Sequence, residues 1–417
     1  MTSRERVLKA INHQQPDRVP LDLGAMRASG INAVVYDKLK RRLGVVTPTK
    51  VFDTMQILAE VELEVVEKLH VDVVPLDAGC PGWLGQPASA GKPRRLFCGQ
   101  EVHFAPDANI TEEPDGSWVL RNAADEPTAR MPKNGYYFDF LRPTMGGHQI
   151  DPDAFQPPST VPEEQLEQIR QRAEFLFDNT DKALLGWGAS ISMMGLSALL
   201  STNITQGALD EWLCMLMTEK DTANDMMGRY VDAVLSRLKL YHEAVDDRCV
   251  AWGIASDDAG TQRGVLVHPD LFAEMVKPHY KRVCDWVHTN TPWKTFLHSC
   301  GSVYEYLPHW AEAGVDIFNP VQIAATNMEP ERLKRELGDK LVFWGGGCDT
   351  QKVLPLGTPA EIREHVRHNL QVFGQGGGFV FTQVHNIQQD VPVENVEAML
   401  AAAYEFGRYP FGANDMP

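Results

Sequence analysis

The chain has 417 residues, 43% of them hydrophobic and 23% charged, with a formal charge of −17. That length exceeds the ~150 residues of a usual domain, although α/β barrels run longer as one unit, and it suffices for a large core. The acidic balance, with no Lys/Arg cluster to offset it, argues against nucleic acid or an anionic membrane surface as a partner.

Residues 3–13 read as a capped helix, with Ser3 as cap and Val7, Leu8 and Ile11 on its inner face. This charged opening carries no signal-peptide pattern, and the seven cysteines (80, 98, 214, 249, 284, 300, 348) show no paired spacing. A cytoplasmic protein with reduced thiols is the expectation. A strand-like Val19-Pro-Leu-Asp-Leu23 follows a turn at Pro16-Asp17-Arg18. Helical stretches near 32–43 and 52–69 precede a buried run at 71–76.

From 80 to 145 the rhythm changes to Pro, Gly and β-formers, with turn signals such as Pro114-Asp115-Gly116. This predicts a β-hairpin insertion, a lid or flap, within a barrel spanning 1–417. The uncharged run from Ala183 to Leu209 raises a membrane question, but its Gly, Ser, Asn and Gln content favours a buried strand, a loop and a core helix start.

After 160, helices and short apolar strands alternate, with strands at 183–188, 249–255, 293–298, 315–319, 340–344 and 378–383. Helices separating strands imply parallel pairing through right-handed crossovers. With 19–23 and 71–76 the count reaches eight, which predicts an α/β fold of the (β/α)8 TIM-barrel type.

In such a barrel the chemistry sits at the carboxyl ends of the strands. Polar residues directly after the predicted strands are Ser256, Asp257 and Asp258, then His298 and Cys300, then Asn319 and Gln322. Cys348 and Asp349 follow Gly345-Gly-Gly347, and Gln383, His385, Asn386 and Gln388 follow the last strand. The pair His298-x-Cys300 supplies two soft metal-ligand types at one strand end, pointing the same way. With Cys348 or His385 it would give a catalytic zinc its three protein ligands. Asp257 or Asp258 could orient a ligand histidine or position a substrate hydroxyl. The triple glycine lacks the spacing of a phosphate loop and reads as close backbone packing.

At these residues the chain resembles the uroporphyrinogen decarboxylase superfamily. The resemblance is carried by Arg4-Glu-Arg-Val-Leu-Lys-Ala-Ile…Pro16-Asp-Arg-Val-Pro, Leu297-His-Ser-Cys-Gly-Ser, Asn319-Pro-Val-Gln, Trp344-Gly-Gly-Gly-Cys-Asp-Thr-Gln and Val384-His-Asn-Ile-Gln. It implies a distorted (β/α)8 barrel and two branches. The decarboxylases hold a tetrapyrrole with an Arg-rich N-terminal stretch and an Asp after an early strand. Met26-Arg27-Ala28-Ser29-Gly30 keeps one Arg of the former, and 71–77 departs from the spacing of the latter. His298-x-Cys300 is similar to the start of the His-x-Cys…Cys zinc motif of the corrinoid methyltransferases. Their second Cys falls where this chain has His385, so Cys348 and His385 both stand as the third ligand. The methyltransferase branch implies Zn2+, a small methylated substrate such as an O-methyl ether, and cobalamin carried by a separate corrinoid protein. Among the strand-end residues, Asp257, Asp258, Gln322 and Asn386 are the candidate catalytic residues, and a homodimer stays open. A cofactor-free decarboxylase is the alternative.

Overall fold

The computed structural model describes residues 1–77, 90–141, 150–194 and 209–411. Seven parallel strands form one curled sheet: β1 (Val73–Asp77), β2 (Ala183–Ile191), β3 (Cys249–Ser256), β4 (Lys294–His298), β5 (Ile317–Asn319), β6 (Val342–Trp344) and β7 (Phe379–Val380). They lie in sequence order from β1 to β7, as right-handed βα units demand.

The expected strand at 19–23 closes the ring with only a few bonds. Phe381 N–H donates to the Pro20 carbonyl at 2.9 Å and Asp22 N–H to the Phe381 carbonyl at 2.8 Å. On the other side, Asp72 N–H donates to the Leu21 carbonyl at 2.8 Å. Pro20 has no N–H to give, so the ladder there is sparse. The fold is therefore a distorted α/β barrel.

The chain's opening explains how that weak closure is held. Arg6 and Arg18 both reach the fully buried Asp72, each at 2.7 Å, and Leu21 N–H donates to the same carboxylate at 2.8 Å. Helix Ser3–Ile11, capped by Thr2 rather than Ser3, sets Val7, Ala10 and Ile11 into one cluster with the inward residues Val73, Ala183 and Phe296. Leu8, expected inside, is 40% exposed.

Two Trp–Gly pairs fix the seam between β2 and β3. Gly186 faces Trp252 and Trp187 faces Gly253 in register. A Cβ on Gly253 would fall 1.9 Å from the Trp187 ring, so only glycine lets that indole lie against the neighbouring strand.

Sequence and structure differ between 52 and 69. Val51–Asp53 and Leu58–Ala59 form a small antiparallel hairpin, and the helix is confined to Leu63–Lys68. Asp53 turns the chain by accepting the Gln56 N–H at 2.8 Å and is held by Arg27 at 2.7 Å, so a local polar turn wins over helical spacing.

The described part of the insertion carries a two-stranded sheet (Lys92–Arg95 with Glu101–Phe104) and a four-stranded sheet spanning 110–140. It joins the barrel through His103 N–H to the Thr49 carbonyl and Phe138 N–H to the Met55 carbonyl, both 2.8 Å. Among the described residues no helix is long and apolar enough to cross a membrane. The run from 183 begins as β2, and helix Leu209–Thr218 follows, its intervening residues 195–208 lying outside the described ones.

Candidate metal centre and cavity

A cavity of about 480 Å³ opens at the carboxyl ends of the strands. Its walls come from Met26, Arg27 and Ala28 after the closing segment, Gln56, Asp77 at the end of β1, and Trp187 of β2. Ser256, Asp258, His298, His385, Asn386 and Gln388 complete the ring, and Tyr137 reaches in from the insertion.

At one side of this cavity His298, Cys300 and His385 converge, with one ligand atom of each within 4.8 Å of the others. Cys300 Sγ stands 3.5 Å from His298 Nε2. Two ligands bound at tetrahedral zinc distances are about 3.6 Å apart, so this pair already has the required separation.

The strand ends make the arrangement. His298 is the last residue of β4, and Gly301, with φ +99°, turns the chain sharply behind Cys300. A Cβ on Gly301 would meet the Gly260 carbonyl at 2.4 Å, so the turn packs directly on the neighbouring loop. The two amides of this turn are both satisfied by side chains. Cys300 N–H donates to Asp258 Oδ1 at 3.0 Å, and Gly301 N–H donates to Gln322 Oε1 at 2.7 Å.

Burial favours the uncharged forms of Cys300 and His385. Burial, then the nearby Asp258 carboxylate, pushes the Cys300 thiol well above its ordinary range. Burial, then the neighbouring His298, lowers His385, which keeps that imidazole neutral. A cation among these groups would reverse the first effect and favour the thiolate.

The residues expected from sequence divide into two groups. Asp258 and Asn386 line the cavity, and Gln322 holds the Cys300–Gly301 turn from behind. Asp257 turns away. It is fully buried, accepting the N–H groups of Met193 and Met194 at 2.8 Å, and it staples the loop after β2. Cys348 also lies outside the cluster: it is fully buried, and its thiol contacts the Asp349 carbonyl at 3.9 Å. Geometry thus brings His385, not Cys348, to His298 and Cys300.

Other cavity residues escaped the strand-end rule. Asp77 ends β1, at a spacing that departs from that of the decarboxylases. Arg27, the one arginine kept from the decarboxylases' N-terminal stretch, lies 2.7 Å from Asp53 and 3.2 Å from Asp77 in the cavity wall. Gln56, whose Oε1 accepts from Asn386 Nδ2 at 2.6 Å, and Tyr137 come from irregular segments with no periodic signal.

Comparison with known proteins adds the following. The family model described as "Uroporphyrinogen decarboxylase (URO-D)" matches residues 143–406. A uroporphyrinogen decarboxylase of Actinobacillus succinogenes is 26% identical over 201 residues, 46% of this chain and 51% of the relative. One from Pseudoalteromonas translucida is 38% identical over 73 residues, 18% of this chain and 20% of the relative. The chain therefore spans about half or less of the length of these curated relatives. Among solved structures, a methyltransferase from Methanosarcina mazei aligns over 97% of this chain and 99% of its own, with a TM-score of 0.57 and 16% identity. That likeness is one of fold.

Proposed function

The chain belongs to the uroporphyrinogen decarboxylase family, and from that premise we propose that it is a zinc-dependent methyltransferase. In this reading it moves a methyl group between a small methylated compound, such as an O-methyl ether, and the cobalt of a separate corrinoid protein. The observation that carries it is the convergence of His298, Cys300 and His385 within 4.8 Å of one another beside the cavity. Three N/S donors next to an open space are the donor set of a catalytic zinc. The full-length fold likeness to a methyltransferase supports the same reading.

Zinc held there would act as a Lewis acid, polarising the leaving oxygen of the donor or keeping a thiol acceptor ionised. The chain's own residues do the rest. Asp258, largely exposed and 3.7 Å from His298 Nε2, stands where the proton leaving Cys300 passes to solvent. Asp258 and Gln322 keep the Cys300–Gly301 turn fixed by accepting its two amides. Asn386 and Gln56 form a polar wall, and Trp187 and Tyr137 supply apolar surface for the body of the substrate.

A cofactor-free decarboxylase acting on a porphyrinogen is the second reading, favoured by the names of the curated relatives and by Arg27 and Asp77 sharing the cavity. A ligand with many carboxylates calls for several cations. Among the described lining residues Arg27 is the one arginine, no lysine accompanies it, and it is already engaged with Asp53 and Asp77.

Metal analysis of protein purified without chelator tests the choice. About one zinc per chain is expected, with Cys300→Ala and His385→Ala each losing most of it. Absence of zinc together with decarboxylation of a porphyrinogen would establish the second reading. Methyl transfer to free cob(I)alamin, used as a surrogate acceptor with 2-methoxyphenol as donor, checks the reaction class.

A further inference from the structure

Beyond the three donors, the cluster depends on which nitrogen of His298 carries the proton, and the fold determines that through a neighbour. His298 Nδ1 lies 2.8 Å from Asn319 Oδ1, at the end of the adjacent strand β5. The assignment of that amide is not free. Asn319 Nδ2 donates to the Trp344 carbonyl, the last residue of β6, at 2.7 Å, and a carbonyl can only accept. The oxygen of Asn319 must therefore face His298, and an oxygen there requires an N–H on Nδ1.

The brace behind this contact is rigid. Trp344 is itself anchored, its indole N–H donating to Asp22 Oδ2 at 2.8 Å. Asn319 is fully buried and His298 nearly so. Loss of the amide would leave a buried imidazole N–H and a buried carbonyl without partners. In the neutral imidazole Nε2 then bears the lone pair, and it faces the other two donors. Cys300 Sγ lies 3.5 Å away on that side, while Asp258 Oδ1 at 3.7 Å lies beyond hydrogen-bond reach.

We propose that Asn319 is the positioning residue that holds His298 in its Nδ1–H tautomer, so that Nε2 presents its lone pair toward Cys300 and His385. The tautomer follows from the metal-free fold. Only the consequence for metal affinity rests on the zinc reading. An orienting partner of a ligand histidine is worth about 10–100-fold in metal affinity.

Two measurements separate the proposal from that reading. The first is ¹⁵N NMR of metal-free, histidine-labelled protein, with His298 assigned by the signal lost in His298→Gln. The Nδ1–H pattern is expected in the native chain and in Asn319→Asp, which keeps an acceptor oxygen. Asn319→Leu should shift it toward the Nε2–H form. An Nε2–H pattern in the native chain, or an unchanged one in Asn319→Leu, overturns the proposal. The second is zinc affinity by chelator competition on folded protein. Asn319→Leu should weaken binding about 10–100-fold and Asn319→Asp should recover most of it. Equal affinity in native chain and Asn319→Leu overturns the positioning role. If the native chain has the Nδ1–H pattern and takes no zinc, the tautomer assignment stands and the zinc reading falls. Should Asn319→Leu fail to fold, the native tautomer and the Asn319→Asp pair still decide.

Discussion

The two ends of the barrel spend their polar residues differently, and strand β1 shows both habits. Just before it, Asp72 receives two arginines and a backbone N–H and has no exposure to solvent. At its other end, Asp77 faces a cavity. Around Asp72 the lower end is saturated: Arg6, Arg18 and Asp17 answer one another's charge, and the bonds tie residues far apart in sequence into a closed ring. The upper end holds polar atoms directed at open space, with neutral amides such as Asn319 and Gln322 as braces. A neutral brace fixes geometry without adding charge, and here it works beside one carboxylate, Asp258, that accepts the Cys300 N–H. The contrast separates residues that hold the fold from those that line the cavity.

The strongest test of that division is Asp72→Ala. It leaves Arg6 and Arg18 buried without their anion and removes the partner of the closing segment. A loss of about 5 kcal/mol in urea unfolding is expected, the upper part of the range for breaking a buried pair. A loss below ~1 kcal/mol would mean that the lower end is not what closes the barrel.

Asp257 and Asp258 bring the same contrast into two adjacent residues. Asp257→Ala strips the acceptor from two buried amides and the Tyr280 hydroxyl, and should cost roughly 3–4 kcal/mol. Asp258→Ala should stay within ~0.5 kcal/mol in stability while changing zinc affinity or turnover. Equal stability effects for the pair would erase the distinction.

Asp22 lies between the two ends, and burial pushes its carboxyl up to about 6. An acid whose folded pKa is raised stabilises the fold when protonated. Its contribution is full below about pH 4 and is lost as the pH rises to about 6. The upward shift corresponds to a cost on the order of 3 kcal/mol at neutral pH. Stability of Asp22→Asn relative to the native chain should therefore climb between pH 4 and 6 and level off above. A difference that is flat with pH would show that the carboxyl ionises as readily folded as unfolded.

Much of this was legible in the sequence, and the failures have physical causes. Strand ends showed as apolar runs stopped by polar residues, so His298, Cys300, Asp258 and Asn386 were found. What a run cannot show is direction. Neighbouring residues at a strand end point to opposite sides, so Asp257 and Asp258 looked equivalent until one proved to face the loop after β2. The closing segment was legible as a strand although it makes little regular ladder, because its apolar residues alternate into the core. Residues 52–69 misled because apolar content at helical spacing also fits a hairpin once Asp53 makes its turn. Tyr137 and Gln56 had no signal at all, since irregular segments acquire their positions only from tertiary contact.

The smallest expected effect in stability is also the clearest between two readings of one residue type. Cys348 and Cys300 both follow strand ends, and burial raises both thiols. Cys348, fully buried, belongs with the saturated groups: its thiol contacts the Asp349 carbonyl at 3.9 Å, and it is not among the described residues lining the cavity. Removing its sulfur deletes about one methyl's worth of packing, so Cys348→Ala should cost about 1 kcal/mol and leave zinc content unchanged. Cys300 is half-buried beside His298, and Cys300→Ala should cost less stability yet lose the metal. Paired thermal melts and metal analysis read both quantities. Zinc lost from Cys348→Ala and kept in Cys300→Ala would make Cys348 rather than Cys300 the sulfur ligand and require the loop after β6 to rearrange around the metal.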